Sequence, residues 1–549
     1  MMFFENLGSS EIVCAGDSAR VRDRERHVSE LLEQIAHDRS ASTLERIIKR
    51  GRMTAEARVQ GLCDADAPLW RIGEFEGLAR PAEGHTRPYR LGVICALGVV
   101  CGRQCVVIAN DNTVAAGAWW PGSPEKIVHA LDVAMRLRVP VIYLVECAGL
   151  FLPKQAETFA GETGAGAIFR RQAELSRAGI VQVAGIYGDC IAGGGYMPLM
   201  CDKIVMTAQA TLCIGGASLN AYSKGQVGAA PGTAATHVHF SGCAEKCVPD
   251  DAEALATLRA WISRLPSPAC AFYRVAEPFA PALPASDLYE ILPADTSRGY
   301  DVISVIARLV DASQGRLLLE NTGPEIVAVQ SLVDGLPVVC IANRAENIVS
   351  EDRVLAGGVL YRDGIEKMRR VAEAAQSDGV PVIWIQDVSG FDIGAEAERE
   401  GLLKYGAMLL REISDAQSVP HLTVVLRKGS GAGYYAMKGA PFKPALVVGT
   451  ALSRVEVMQP ETLAGTLYDR KLADPLLDAE ARARLEAARQ ALVEVQQAAS
   501  DPVQAAARGD LDMLVSLDAL RDLMVTFVRA AYQAPVSVKP IRLWNLAAL

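Results

Sequence analysis

The sequence has 549 residues, of which 50% are hydrophobic and 22% are charged, so the chain can bury several cores and is not disordered. Its 55 lysines and arginines against 64 aspartates and glutamates give a net charge of −9, which argues against nucleic acid or an anionic membrane as a partner. The 47 glycines and only 6% aromatic residues are typical of closely packed α/β layers. We therefore expect a globular α/β protein that binds no nucleic acid.

The N-terminus and the cysteines indicate a cellular location. Residues 1–13 contain no basic segment followed by an apolar core, so we expect no secretory signal. The most apolar window, 91–109, is interrupted by Gly102, Arg103 and Gln104, and predicts two short strands joined by a turn rather than a membrane helix. The 13 cysteines are odd in number and scattered, as reduced thiols are. We predict a cytoplasmic protein.

One group of potential metal ligands lies within eleven residues: His237, His239, Cys243 and Cys247. The two cysteines are separated by three residues rather than by the two of a zinc knuckle, and no second pair accompanies them. Ordinary buried thiols are the favoured interpretation, and we predict no metal.

The second half of the sequence repeats the first. Residues 139–149 return as 380–390 with an offset of 241, and the glycine-rich run at Gly193 and Gly194 corresponds to Gly431 and Ala432 with an offset of 238. Offsets that agree within a few residues, in the same order, indicate a duplicated domain, because a period near 240 is too long for a solenoid.

Each copy is predicted to contain strand, helix, strand, helix and strand in turn, with continuous β-branched runs that imply parallel strands covered on both faces. A proline-rich stretch, 266–293, reads as the linker between a first domain at 1–275 and a second at 290–549. Helical patterns also cover 28–57 and 479–499, the latter with Asp478 as its cap. The predicted elements are 105–109, 124–137, 141–145, 165–178 and 181–186 in the first copy, and 338–342, 364–376, 382–385, 401–416 and 422–426 in the second.

A glycine cluster follows the third strand of each copy, at 188–196 and at 427–434. A strand followed by small residues and a helix start leaves backbone N–H groups free at the helix N-terminus, where a ligand can approach closely. Two amides directed at one oxygen stabilise an enolate or a tetrahedral oxyanion. Close strand–helix packing selects glycine as well, but the same feature at the same place in both copies favours an oxyanion site in each.

Other segments resemble known functional motifs but lack the sequence context that those motifs require. Residues 161–166 resemble a dinucleotide loop but follow no strand in the required register. The tripeptide at 436–438 resembles a biotin attachment site, but Gly439 follows it and no separate small β domain surrounds it. Glu146 and Asp387 occupy matching strand ends and could act as general bases, although hydrogen-bonded loop anchors are the favoured reading. The chemistry is therefore expected to use backbone amides and a group brought by a cofactor.

Several of these segments resemble the carboxyltransferase subunits of biotin-dependent acyl-CoA carboxylases. The resemblance runs from about residue 45 to the C-terminus. The second half is most similar to the α subunit of glutaconyl-CoA decarboxylase, while the first half shares many motifs with the β subunit of methylcrotonyl-CoA carboxylase. The matching segments are 106–114, 143–149, Ala192 to Gly194 and the Gly215–Gly216 pair in the first half, and 287–289, 298–301, 305–309, 360–368, 384–387 and 426–429 in the second.

The resemblance implies an α/β fold of two tandem crotonase-like domains, the first binding an acyl-CoA thioester and the second binding biotin. It places the enolate oxygen on Gly193 and Gly194 and the ureido oxygen of biotin on Gly431 and Ala432. Two positions depart from the family pattern: Ser389 replaces a proline and Gly429-Ser430 replaces Ala-Tyr, so the acyl group stays open. The remaining expected contacts are Ala148, Gly149, Ala192, Gly215 and Gly216 for the substrate, and Ser389, Gly390 and Gly433 for biotin.

The resemblance also implies partners. Biotin would be attached to a separate carrier protein rather than to this chain, and the chain would assemble as a homo-oligomer, at least a dimer. A biotin carboxylase subunit or a membrane decarboxylase subunit is a further expected partner. The alternatives left open are a carboxyltransferase β subunit of a methylcrotonyl-, propionyl- or acetyl-CoA carboxylase, a crotonase-fold hydratase or isomerase, and a scaffold without activity.

Overall fold

The computed structural model describes residues 17–37, 40–78, 89–215, 232–312, 315–350, 353–414, 419–534 and 544–549. The chain forms two compact units. The N-terminal unit comprises Glu30–Ala271 and Arg529–Pro535, and the C-terminal unit comprises Met1–Ser29, Phe272–Val528 and Val536–Leu549. Each unit thus includes a short segment from the opposite end of the chain, which the predicted division at 1–275 and 290–549 does not contain.

The N-terminal unit is built on a seven-stranded sheet with the order β1-β2-β3-β4-β5-β7-β9. The first three strands pair antiparallel and the others parallel. The apolar window at 91–109 forms β2 and β3, joined by a turn at Cys101 and Gly102, both with positive φ, so the predicted hairpin is confirmed. The strands are β1 Trp70–Ile72, β2 Val93–Val100, β3 Arg103–Asn110, β4 Val141–Val145, β5 Gln182–Ile186, β6 Asp189–Ile191, β7 Lys203–Thr207, β8 Thr211–Cys213 and β9 Lys246–Val248.

Helices cover the sheet of this unit, and α3 and α8 contribute Val59, Leu62 and Leu258 to a core shared with β3, β4 and β5. The single helical pattern predicted at 28–57 is wrong in its extent, because the chain forms three separate helices there. The helices up to residue 273 are α1 Ser18–His37, α2 Ala41–Lys49, α3 Ala55–Leu62, α4 Ser123–Leu137, α5 Gly166–Arg177, α6 Gly193–Leu199, α7 Ala234–Thr236, α8 Asp251–Ser263 and α9 Cys270–Tyr273.

The C-terminal unit contains an eight-stranded sheet with the order β10-β11-β12-β16-β18-β19-β21, in which β20 also pairs with β18. Its first three strands are antiparallel and the rest parallel, as in the other unit. Its strands are β10 Arg316–Leu317, β11 Ile326–Val333, β12 Leu336–Asn343, β13 Ile348–Ser350, β14 Arg353–Leu355, β15 Val359–Leu360, β16 Val382–Val388, β17 Gly390–Phe391, β18 His421–Ser430, β19 Leu446–Gly449, β20 Arg454–Glu456 and β21 Met513–Leu514.

Trp384, Val371 and Leu409 are among the residues that form the core beneath the helices of this unit. The predicted cap of the long helix α17 is confirmed, since the Asp478 side chain accepts a hydrogen bond of 2.7 Å from the backbone N–H of Ala481. No described helix is long and apolar enough to cross a membrane. The later helices are α10 Leu288–Ile291, α11 Val302–Ala307, α12 Arg362–Asp378, α13 Ala395–Arg399, α14 Leu402–Ile413, α15 Gly431–Ala436, α16 Pro460–Leu472, α17 Ala479–Ala499, α18 Pro502–Ala507, α19 Leu520–Ala531 and α20 Trp544–Ala547.

The two sheets repeat one plan. An antiparallel hairpin, β2–β3 or β11–β12, precedes two parallel strands, β4 and β5 or β16 and β18, and a helix separates each successive pair. The order of elements matches the sequence repeat. The fold is therefore the predicted tandem pair of crotonase-like domains.

Candidate active site

The glycine cluster of the N-terminal unit opens helix α6. Ala192 precedes the helix with a positive φ of 51°, and its carbonyl oxygen accepts hydrogen bonds from the N–H groups of Gly195 and Tyr196. No described residue accepts a hydrogen bond from the N–H groups of Gly193 or Gly194. Two adjacent backbone donors are thus available at the start of the helix, as an oxyanion site requires.

Packing explains one of these glycines. A β-carbon on Gly194 would lie 2.6 Å from the carbonyl oxygen of Cys147, in the loop after β4, so no larger residue fits without a backbone shift. A β-carbon on Gly193 would lie 3.3 Å from the ring of Trp119, which is a tight contact with a side chain only. Packing therefore requires glycine at position 194, whereas at position 193 an added β-carbon would meet only side chains.

A cavity of about 470 Å³ lies beside this cluster. Of the residues expected to contact the substrate, Ala192 and Gly215 line it, and Gly216 lies outside the described residues. The described lining carries no lysine, arginine or carboxylate and is mainly apolar. The lining residues are Ala192, Gly195, Tyr196, Leu199, Leu212, Cys213, Ile214, Gly215, Gly232, Thr236, His237 and Cys243.

Ala148 and Gly149 do not line this cavity. The N–H of Ala148 donates to the carbonyl oxygen of Ala116, and the carbonyl oxygen of Gly149 accepts from the N–H of Trp119. Gly149 has a φ of 93°, and a β-carbon on it would lie 3.4 Å from the carbonyl oxygen of Ile191. These two residues therefore hold the loop after β4 against residues 116–119, in the segment that follows β3.

The histidine and cysteine group forms no metal site among the described residues. His237 instead uses both ring nitrogens in hydrogen bonds, with Nε2 2.7 Å from the carbonyl oxygen of Leu212 and Nδ1 2.8 Å from the hydroxyl of Ser241. The interpretation of Cys243 and Cys247 as buried thiols is wrong, because Cys243 is only partly buried and Cys247 is exposed.

The glycine cluster of the C-terminal unit opens helix α15 directly after β18. Gly431 has a φ of 54°, and a β-carbon on it would lie 3.0 Å from the carbonyl oxygen of Val457. Within the described part of the chain, no carbonyl accepts from the N–H groups of Gly431 or Ala432. This unit thus offers the same pair of adjacent donors at the same place in its sheet.

The residues expected to contact biotin lie next to this cluster. The N–H of Ser389 donates to the carbonyl oxygen of Gly358 at 2.7 Å, and Gly390 pairs with Val359 in the short sheet of β15 and β17. A β-carbon on Gly433 would lie 3.3 Å from the Cα of Gly390. The fold therefore brings the segment of Ser389 and Gly390 against the start of α15, and a β-carbon on Gly390 would meet nothing within 4 Å.

Glu146 and Asp387 are held by arginines at the matching strand ends. Glu146 receives Arg58 Nη2 at 2.7 Å and Arg52 Nη1 at 3.1 Å. Asp387 receives Arg427 Nε at 2.7 Å, and both partners of this pair are fully buried. Each carboxylate is neutralised by a guanidinium, so the preferred reading of both as loop anchors is confirmed.

The sequence analysis did not single out Lys428, which precedes the second glycine cluster. Its side chain is only 6% exposed, and its Nζ lies 3.9 Å from Asp387 Oδ1. Burial lowers the pKa of its ammonium group, an effect that the neighbouring Asp387 opposes. The signal that could have identified it is a pair of adjacent cations, Arg427 and Lys428, in an otherwise apolar strand.

Two tandem crotonase-like units, each with two adjacent amides that have no described acceptor after a parallel strand, define a duplicated crotonase-like protein. A family model described as the carboxyl transferase domain matches residues 46–544. The chain belongs to this family and is a carboxyltransferase of the biotin-dependent acyl-CoA carboxylases and decarboxylases.

Individual relatives support this assignment. The α subunit of glutaconyl-CoA decarboxylase from Acidaminococcus fermentans is 33% identical over 522 residues, which cover 90% of this chain and 87% of that protein. The β1 subunit of the biotin-dependent 3-methylcrotonyl-CoA carboxylase of Mycobacterium tuberculosis is 33% identical over 425 residues, 77% of each chain. The crystal structure of the geranyl-CoA carboxylase β subunit of P. aeruginosa has the same fold, with a TM-score of 0.81 over 97% of both chains at 24% identity.

Proposed function

We propose that Gly193 and Gly194 bind the thioester oxygen of an acyl-CoA, and that Gly431 and Ala432 bind the ureido oxygen of biotin. The observation that carries this proposal is the pair of N–H groups without a described acceptor, present once in each unit. Carboxyl transfer develops negative charge on two oxygens, one in each reactant. A duplicated domain with two donor pairs meets that requirement.

The chain's own groups act on these two oxygens. The amides of Gly193 and Gly194 stabilise the enolate that forms when the acyl chain loses a proton or a carboxyl group. Biotin, when bound, supplies the carrier for the carboxyl group. The residues at its proposed site fit a flat polar ring, because the amides of Gly431 and Ala432 are free and the space at Gly390 is open. The arginine-held carboxylates leave the proton transfer to the reactants themselves.

Biotin is proposed to arrive on a separate carrier protein. Lys438, in the tripeptide that resembles a biotin attachment site, is fully buried and donates from Nζ to the carbonyl oxygen of Ile413. A ligase cannot reach such a side chain in the folded protein. We further propose a homo-oligomer, a cytoplasmic location for these reduced cysteines, and a biotin carboxylase or a membrane decarboxylase subunit as an additional partner.

Two branches of the family remain candidates for the net reaction. A decarboxylase like glutaconyl-CoA decarboxylase is the first, because that relative matches over 90% of the chain. A carboxylase β subunit of the methylcrotonyl-, propionyl- or acetyl-CoA type is the second, because the methylcrotonyl relative has the same identity of 33%. A hydratase or isomerase fits less well, since Glu146 and Asp387 are both engaged by arginines.

The test uses the purified protein, free biotin and the CoA esters of glutaconate, malonate, methylmalonate and 3-methylglutaconate. Release of CO₂ from one ester, only with biotin present, is the expected result and identifies the acyl group. Addition of water to an enoyl-CoA without biotin would overturn the proposal. Gly193→Val and Gly431→Val variants that fold normally and keep full activity would disprove the site assignment.

A further inference from the structure

Lys428 is a largely buried lysine whose ammonium group pairs with Asp387 only at a distance. It lies in β18, three residues before Gly431; no described residue accepts a hydrogen bond from its ammonium group, and the Asp387 carboxylate is 3.9 Å away and already paired with Arg427. Partial removal of an ammonium ion from water is unfavourable, and a carboxylate at that distance offsets the cost only in part. A fold retains that arrangement when the charge serves a ligand or a neighbouring loop.

The ammonium group lies beside Gly358, the residue that also contacts Ser389. The point where Gly358 lacks a β-carbon is 3.4 Å from Lys428 Nζ and 2.9 Å from the hydroxyl oxygen of Ser389. The backbone joins the same groups, because Ser389 N–H donates to the carbonyl oxygen of Gly358. Lys428 and Ser389 therefore both approach Gly358, where a larger residue would collide with the Ser389 hydroxyl.

The equivalent strand of the N-terminal unit has no such cation. At the offset of 238, Asp189 and Cys190 stand where the C-terminal unit has Arg427 and Lys428. The N-terminal unit takes its buried cation, Arg58, from helix α3 instead. The duplicated domains thus differ in charge along the strand that leads to the free amides, although their backbones follow one plan.

We propose that Lys428 is a positioning residue for biotin, which holds the segment of Ser389 and Gly390 in place and adds positive charge to the proposed biotin site. This inference rests on the proposed function. In a low-dielectric site a fixed cation stabilises developing negative charge far more than it would in water.

The charge on Lys428 depends on the groups around it. Asp387 on β16 and Glu456 on β20 favour the charged form, while burial and Arg427 oppose it. Burial dominates and lowers the pKa, so Lys428 loses its proton at a lower pH than an exposed lysine does. Arginine at this position stays charged across the whole range.

The experiment compares wild type with Lys428→Met, Lys428→Arg and the control Lys404→Met, a lysine exposed on α14. The readouts are kcat with free biotin, KM for the acyl-CoA, and the biotin Kd from calorimetry, each as a function of pH. We expect Lys428→Met to weaken biotin binding and lower kcat by about tenfold or more, with KM for the acyl-CoA unchanged. In wild type both activity and biotin binding fall as the pH rises through the Lys428 pKa, and in Lys428→Arg this fall moves to higher pH.

The outcomes separate the two proposals. If wild type shows no biotin-dependent transfer, the proposed function fails and the role of Lys428 falls with it. If wild type is active and folded Lys428→Met has the same kcat and biotin Kd, only the inference about Lys428 is wrong. Should Lys428→Met fail to fold, Lys428→Arg provides the test. If its activity and biotin binding fall at the same alkaline pH as those of wild type, the inference is contradicted.

Discussion

The carbonyl oxygen of Cys147 lies 2.6 Å from the point where a β-carbon on Gly194 would stand. The loop after β4 and the start of α6 are therefore packed backbone to backbone, with no room for a methyl group between them. At Gly193, by contrast, the added methyl would meet only the rings of Trp119, at 3.3 Å, and Phe169, at 3.8 Å. The two neighbouring glycines look equivalent in the sequence, but backbone packing excludes a larger residue only at position 194.

A pair of alanine substitutions tests this difference. Gly194→Ala is expected to lower the free energy of unfolding by about 1–3 kcal/mol, because the loop of Cys147 must move. Gly193→Ala is expected to lower it by less than about 1 kcal/mol, since the Trp119 ring can shift by a few tenths of an ångström. Urea denaturation of both variants measures the difference, and equal stabilities would contradict the packing argument.

The second glycine cluster is tested by Gly431→Ala with Gly509→Ala as its control. Both glycines have positive φ, 54° and 80°, so each alanine should cost about 1 kcal/mol of backbone strain. A β-carbon at Gly431 faces the Val457 carbonyl at 3.0 Å, whereas one at Gly509 meets nothing within 4 Å. We expect Gly431→Ala to reduce biotin-dependent turnover by about tenfold or more while Gly509→Ala keeps it. Equal losses of turnover in the two would show that strain, not the site, is responsible.

Removing the charge of Glu146 should destabilise the N-terminal unit. Glu146→Gln leaves Arg58, which is fully buried, with Asp251 as its remaining carboxylate partner, and we expect a loss of about 3 kcal/mol in unfolding free energy. Glu253→Gln, in an exposed pair with Lys246, should change stability by less than about 0.5 kcal/mol. If Glu146 were a general base instead, the variant would retain its stability and lose its activity.

The burial of Lys438 predicts that the folded chain is not biotinylated. Co-expression with an active biotin ligase should leave the intact mass of the protein unchanged, because Nζ is inside the core and bonded to Ile413. A peptide that contains a known biotin acceptor sequence serves as the positive control. A gain of one biotin on Lys438, located by peptide mass spectrometry, would contradict both the burial and the separate carrier.

His421 should make stability depend on pH near neutrality. Its Nδ1 accepts a hydrogen bond from the Trp384 indole at 3.0 Å, and burial lowers its pKa well below the usual value. The pKa of His421 is lower in the folded protein than in the unfolded protein. Its contribution to stability is therefore complete above the unfolded pKa of about 6.5 and is lost as the pH falls below that value. We expect up to about 1.4 kcal/mol of stability lost per pH unit there. In His421→Gln this slope should decrease, and an unchanged slope in chemical denaturation would disprove the assignment.

Much of the fold follows from local sequence. The continuous apolar runs that form β4 and β16 and the glycines that open α6 and α15 are visible in the sequence because a buried parallel strand and a close helix start each require a particular residue type at one place. The repeat then places both glycine clusters at the same position in two similar sheets. The two pairs of free amides, and the reading of Glu146 and Asp387 as anchors, were predictable on these grounds.

The sequence could not show contacts between residues that are distant from one another in the chain. Arg58 reaches Glu146 and Asp251 from 88 and 193 residues away, and His237 bonds to Leu212 rather than to a metal. Lys428 and Lys438 look like surface charges until the fold buries them. Periodicity and residue type fix which segments are strands, helices and glycine turns, because those depend on neighbours along the chain. Tertiary structure alone decides which charges are buried and what they contact, because burial is a property of segments that meet only in the folded protein.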